Sequence, residues 1–169
     1  MIPLQRSMSR CCFVYGTLMS KEVLQTLLGR LPEMDPRPAY LPPEYSRHPV
    51  KGRVFPAVIL HRGDAHRDNK AVEERVGGIL LSGISSEELK ILDWFEDTAY
   101  DRCSVPVSLL NDDCGVETEI VEADVYLWNA GAEYLDLDSS WDFEEFCTEK
   151  LSWYLRSTVR PCKEEYGKR

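Results

Sequence analysis

Short apolar runs alternate with polar breaks along the chain, and the period within each run separates strands from helices. Phe13-Val14-Tyr15 is too short for a helix and stops at Gly16, which predicts a short buried strand. Val23, Leu24, Leu27 and Leu28 then return on one face at helical spacing, with Ser20 placed to cap the helix, Glu22 in its first turn and Gly29 as its stop. Prolines crowd 32–50, where extended chain is expected around Ala39, Tyr40, Leu41 and Tyr45. Residues 54–60 read as a strand, with Pro56 marking an edge or a bulge. Residues 62–74 are polar and charged and read as a solvent-facing loop. The run at 76–84 reads as another strand, in which Gly77-Gly78 signals a bulge or a close backbone approach.

Ser85-Ser86-Glu87-Glu88 spells a capping box and opens a helix over 86–96. Two longer runs, 100–110 and 116–128, flank the turn-forming Asn111-Asp112-Asp113-Cys114-Gly115 and predict a hairpin that ends at Asn129-Ala130-Gly131. Ser139 or Ser140 is expected to cap a last helix running to about Val159. Asp142, Glu144 and Glu145 lie at its start and Arg156 and Arg160 at its end, as the helix dipole favours. Trp141, Phe146, Leu151, Tyr154 and Leu155 are its docking residues. About six strands interleaved with three helices, without regular βαβ alternation, predict an α+β domain on a mostly antiparallel sheet, open or closed. Residues 1–10 read as a loose leader, 11–160 as a single domain that includes the C-terminal helix, and 161–169 as a polar tail.

Composition narrows the classes. The 169 residues suit one domain, and 43% hydrophobic with 29% charged residues is a globular balance. A net charge of -9 repels phosphate backbones and anionic lipid, so neither nucleic acid nor a membrane is an expected partner. No apolar run is long enough to span a bilayer, and the first ten residues hold no apolar signal core, so the expected location is cytoplasmic. The six cysteines, Cys11, Cys12, Cys103, Cys114, Cys147 and Cys162, form neither a CxxC pair nor a zinc spacing. They read as reduced thiols, with Cys11 and Cys12 facing opposite ways if they lie on a strand.

Two places could carry chemistry. Tyr15-Gly16-Thr17-Leu18-Met19-Ser20 joins a strand, a glycine turn and a helix start, an arrangement that exposes several backbone N–H groups able to hold a carboxylate or an oxyanion. A plain tight turn is the commoner outcome of such a sequence. The second place is Glu96, which falls on the apolar stripe of its helix with Leu89 and Leu92 while Lys90, Asp93 and Asp97 take the opposite face. Trp94, Phe95 and Tyr100 surround it in sequence, and it stands at a helix C-terminus. Burial and dipole both push its pKa upward, toward general acid–base use. The competing reading is a structural ion pair with an arginine such as Arg102.

Other groupings are weaker. His61, Asp64 and His66 could approach a metal but sit in a hydrophilic run and lack a third strong ligand, so no metal site is expected. Arg62-Gly63-Asp64 is an adhesion tripeptide without a secretion signal to give it a use. Cys103 has no histidine tied to it by sequence, and no GxSxG elbow, Walker lysine or GxGxxG motif occurs.

The segment 13–19, FVYGTLM, together with 92–102, LDWFEDTAYDR, resembles the γ-glutamylcyclotransferase-like superfamily, within it the branch of plant avirulence-gene-induced proteins. Phe55-Pro56-Ala57-Val58, Val76-Gly77-Gly78-Ile79-Leu80 and Trp141-Asp142-Phe143-Glu144-Glu145 are similar to that branch as well, in order and at matching spacing. The resemblance implies a small β-barrel flanked by helices with one substrate cavity. It implies that Tyr15, Gly16, Thr17, Leu18, Met19 and Ser20 hold the substrate through their backbone, and that Glu96 is the catalytic acid–base. The implied reaction turns a γ-glutamyl compound into 5-oxoproline and a free amine or amino acid, with no cofactor. The charged insertion at 61–74 and the cysteines at the strand edges depart from the family pattern and leave the leaving group open. Two other readings stay open: a non-catalytic relative that binds a small metabolite or docks a partner, and an enzyme that makes or exchanges γ-glutamyl amides.

Overall fold

The computed structural model describes residues 10–61, 71–111 and 117–169. Its strands are β1 (Arg10–Val14), β2 (Glu33–Met34), β3 (Ala39–Tyr40), β4 (Tyr45–Pro49), β5 (Pro56–Leu60), β6 (Gly77–Ile84), β7 (Tyr100–Leu110) and β8 (Glu117–Trp128). Five of them close a barrel in the order β1-β8-β7-β3-β6 and back to β1. Five strands cannot alternate direction all the way around a ring, so one pairing must be parallel. It is β1–β8, paired at Cys12 and Asp124, and the other four pairings are antiparallel. The short β2 adds to β6 beside β3, and β4 pairs with β5 as a separate two-stranded ribbon in which Pro49 faces Pro56. The expected α+β barrel flanked by helices is therefore the observed fold.

Alternation along β1 builds two layers at once. Phe13 and Tyr15 join Leu80, Val105, Val107 and Val125 in one buried cluster inside the barrel. Cys12 and Val14 join Leu24, Leu27, Leu81 and Leu92 in a second cluster, between the barrel and the helices. Cys11 packs against the first cluster, so the two adjacent cysteines do face opposite ways. The glycine pair marks a close approach: a Cβ on Gly78 would stand 2.2 Å from the Val14 carbonyl oxygen, where β1 closes onto β6.

Helix α1 (Lys21–Leu28) is capped as its sequence predicts, Ser20 Oγ accepting from the Val23 N–H at 3.3 Å and Gly29 ending it at φ 72°. Helix α2 (Ser86–Glu96) carries the complete capping box, with both Ser85–Glu88 hydrogen bonds at 3.1 Å. The last helical region differs from expectation. Its cap is Asp142, whose Oδ1 accepts from the Glu145 N–H at 2.7 Å, not Ser139 or Ser140. It runs as α3 (Phe143–Glu149), α4 (Leu151–Tyr154), a π turn over Leu155–Val159 and α5 (Arg160–Gly167), so the expected tail at 161–169 is mostly helix. Pro161 lacks an N–H and needs room at the carbonyl four residues back, and the widened π turn just before it supplies that room. Helix α5 is tied down by Lys163 Nζ donating to the Leu27 carbonyl at 2.6 Å and Trp94 Nε1 donating to the Cys162 carbonyl at 3.3 Å.

Candidate functional site

The turn after β1 and the end of α2 meet at one cavity of ≈ 70 Å³, walled by residues 15–18, Pro56, Phe95, Glu96, Tyr100, Tyr126 and Tyr154 among others. That is space on the order of five or six waters, enough for a small polar group held by its walls. Four of the six residues expected to hold a ligand, Tyr15, Gly16, Thr17 and Leu18, line it. Met19 and Ser20 are outside its wall. Their N–H groups donate back to the Gly16 and Thr17 carbonyls at 3.0 and 3.1 Å, and the Ser20 hydroxyl caps α1. Among the described residues the N–H groups of Gly16, Thr17 and Leu18 find no acceptor, so the turn that lines the cavity carries donors without a protein partner. Its tightness depends on Gly16, where a Cβ would stand 2.9 Å from the Pro56 ring.

Glu96 is the last residue of α2 and reaches the cavity from the stripe it shares with the buried Leu89 and Leu92. Asp97 stops the helix immediately afterwards at φ 61° and ψ -166°, a conformation that L residues rarely adopt, with its own Oδ1 accepting from the Thr98 N–H at 2.8 Å. The Glu96 carboxyl is pushed up to about 8, and the cause is desolvation by the surrounding protein. The expected competitor, an ion pair with Arg102, does not form. Arg102 binds Asp93 at 2.8 Å and Asp124 at 3.4 Å, and Asp124 also takes Arg10 at 3.2 Å. Among the described residues Glu96 has no salt bridge.

Tyrosines ring the carboxyl, and most of their hydroxyls point their protons elsewhere. Tyr15 donates to the Tyr126 carbonyl, Tyr100 to the Pro56 carbonyl at 2.9 Å, and Tyr126 to Asp93 Oδ1 at 2.8 Å. Tyr154 comes from α4, its hydroxyl beside the Thr17 side chain and its ring edge-on to Phe95 and Phe146 at 6.3 and 5.5 Å. Burial first, and the nearby Glu96 charge among the further causes, holds all four phenols above their usual range and so protonated.

Sequence reasoning passed over Pro56, Tyr126 and Tyr154 as site residues. Tyr154 was expected as a core contact, and it is one, but its buried ring is also a cavity wall. Nothing at the sequence level distinguishes those roles. Among the described residues no group of three or more His, Cys, Asp or Glu could hold a metal ion. His61 and His48 both bond Ser46 Oγ through Nε2, while Asp64, His66 and the Arg62-Gly63-Asp64 tripeptide lie outside the described residues, as do Cys114 and the turn at 112–116. Cys103 Sγ donates to the Asp101 carbonyl at 3.8 Å. No helix of the described residues is long and apolar enough to cross a membrane.

A closed five-stranded barrel thus brings the amide turn of residues 16–18 and the half-buried, desolvated Glu96 carboxyl to one cavity. The family model for γ-glutamyl cyclotransferase, AIG2-like, matches residues 12–145, and the chain belongs to that family. It is 38% identical over 146 residues to AIG2-like protein D of Arabidopsis thaliana, covering 86% of this chain and 84% of that protein. A solution structure from Arabidopsis thaliana superposes with a TM-score of 0.58 at 27% identity, over 95% of this chain and 88% of that one. A mouse AIG2-like crystal structure shares the fold at 20% identity and a TM-score of 0.53, over 79% of this chain and 88% of that one.

Proposed function

We propose that the protein is a cofactor-independent γ-glutamylcyclotransferase. The observation that carries this reading is the meeting of Glu96 with the open amides of residues 16–18 at one cavity. A γ-glutamyl compound brings its own nucleophile. Its α-amine attacks the γ-carbonyl, the new C–N bond closes a five-membered ring, and the bond to the leaving nitrogen breaks. The amine's proton goes to the leaving nitrogen, so the products are 5-oxoproline and a free amine or amino acid. The protein has to fold the substrate into its reactive conformer, hold its charge, and move that one proton.

In this reading the amides of Gly16, Thr17 and Leu18 hold the substrate's carboxylate and the developing oxyanion, with Tyr15 packing beside them. Met19 and Ser20 support the turn through their bonds to Gly16 and Thr17. Glu96 takes the proton from the α-amine and returns it to the leaving nitrogen. A carboxyl with a pKa near 8 is poised for both transfers close to neutral pH. The protonated tyrosines keep the wall neutral, so the carboxyl remains the proton carrier. We place the reaction in the cytosol, a reducing setting that the free thiols Cys11, Cys12, Cys103, Cys147 and Cys162 suit.

The test is a panel assay. Protein and its Glu96→Gln variant are incubated with γ-glutamyl amino acids, glutathione and γ-glutamyl-lysine, and 5-oxoproline is quantified. Product from the parent protein alone supports the reaction and the role of Glu96. Product from neither moves the reading to a metabolite-binding relative on the same fold.

A further inference from the structure

Arg47 lies on β4, behind the amide turn. Its Nη1 donates to the Tyr15 carbonyl at 2.8 Å and to the Gly77 carbonyl at 3.2 Å, and its guanidinium sits 5.8 Å from the centre of the Trp141 ring. Trp141 is itself fixed by Nε1 donating to the Val54 carbonyl at 2.8 Å. No carboxylate of the described residues pairs with Arg47, although the chain carries twenty-nine acidic residues. Buried charges are as a rule paired, and this half-buried one is held by carbonyls and an aromatic face. Burial lowers its pKa, while the nearby Tyr15 and Asp142 oppose that shift.

The Tyr15–Gly16 peptide explains what such a cation can do. The bond is trans, so the Gly16 N–H points away from the Tyr15 carbonyl that Arg47 holds. A cation on the carbonyl side polarises the whole peptide and strengthens its N–H as a donor. The Gly16 N–H has no acceptor among the described residues, and Gly16 lines the cavity.

We propose that Arg47 is a positioning residue for the anion site: through the Tyr15–Gly16 peptide it fixes the turn and strengthens the Gly16 N–H that binds the substrate's anionic group. The identity of that anion rests on the cyclotransferase reading; the existence of the anion site does not. Arg47 spends its donors on the Tyr15 and Gly77 carbonyls and forms no salt bridge with Glu96 among the described residues, so its effect falls on binding and leaves the proton transfer to Glu96.

The experiment uses Arg47→Met, which keeps length and loses charge, and Arg47→Lys, which keeps charge and loses the planar fork. Amide NMR spectra of the parent and both variants are titrated with L-5-oxoproline and, separately, with acetate. In the parent both probes should shift the Gly16, Thr17 and Leu18 cross-peaks. In Arg47→Met the 5-oxoproline affinity should fall about tenfold, the scale of weakening one hydrogen bond to a charged group. The free Gly16 N–H proton should move upfield more than its neighbours, and Arg47→Lys should lie between the two. With a turned-over substrate, KM should rise while the pH midpoint set by Glu96 stays in place. Unchanged affinity in a folded Arg47→Met protein overturns the proposal, as does a parent protein whose amides at 16–18 ignore both probes. If Arg47→Met does not fold, Arg47→Lys decides: weaker binding with an upfield Gly16 shift supports the proposal, and parent-like values overturn it. Probe binding that depends on Arg47, without turnover of any γ-glutamyl compound, keeps the proposal and removes the cyclotransferase reading.

Discussion

Arg102 binds Asp93 through Nε at 2.8 Å and leaves Glu96, three residues further along the same helix, without a counter-ion among the described residues. The two carboxylates are one turn apart on α2 but meet different surroundings. Asp93 is exposed and receives Arg102 and the Tyr126 hydroxyl, whereas Glu96 faces the cavity. One arginine thus satisfies the solvent-side acid, and the acid at the cavity is left desolvated. In the proposed reaction that division makes Glu96 the proton carrier.

Glu96→Gln is expected to fold and to lose turnover by at least on the order of 10²-fold, the contribution typical of a general acid–base. In the parent, kcat/KM should rise with pH toward a midpoint near 8, as the carboxyl becomes the base. Steady-state rates across pH check both statements, and a variant with full activity would sink the role of Glu96.

The same carboxyl makes stability depend on pH. Its folded pKa of about 8 lies above the ordinary 4.5, so the folded state binds the proton more tightly than the unfolded chain does. Its contribution is fully present below pH 4.5 and is lost as the pH rises through 8. Thermal melts of parent and Glu96→Gln should therefore nearly coincide at low pH and separate at high pH, with the variant the more stable. A Tm difference that does not change with pH would contradict a desolvated Glu96 carboxyl.

Barrel closure should depend on Gly78 far more than on Gly77. A Cβ at 78 meets the Val14 backbone at 2.2 Å, while one at 77 meets a movable Tyr40 ring edge at 3.2 Å. Gly78→Ala is expected to cost about 2–3 kcal/mol, the scale of overpacking, and Gly77→Ala well under that. Urea unfolding of the two variants compares them, and equal losses would show that β1 does not close onto β6 this tightly.

Gly16→Val is expected to weaken substrate binding, because a side chain there enters the Pro56 ring at 2.9 Å and moves the amides that follow. Affinity for 5-oxoproline by calorimetry gives the readout. Unchanged affinity would make the turn a structural element only.

Tyr154 brings the C-terminal region into the site from beyond the family-model match, which ends at residue 145. Tyr154→Ala should open the cavity and cost about 3 kcal/mol, as loss of a buried aromatic does. Tyr154→Phe should keep the wall and most of the stability. Denaturation midpoints and KM for a panel of leaving groups test this, and an unaltered substrate preference in Tyr154→Ala would remove the wall from the specificity argument.

The sequence by itself determined the features whose causes are local. Ser20 and Gly29 bound α1, the Ser85–Glu88 box opens α2, and the two long apolar runs pair as β7 and β8, because each signal acts within a few residues or across one turn. The candidate carboxylate was legible for the same reason: helical periodicity alone places Glu96 on the stripe of Leu89 and Leu92. Tertiary structure decided what depends on distant chain. Closure of β1 onto β6 and β8, and the choice of Asp93 over Glu96 by Arg102, follow from where the barrel brings separate strands. The Tyr15 hydroxyl meets a carbonyl 111 residues away, and Tyr154 arrives from the end of α4, just before the π turn. No periodicity encodes those meetings. They are settled by packing, in which each partner's place is fixed by the rest of the fold.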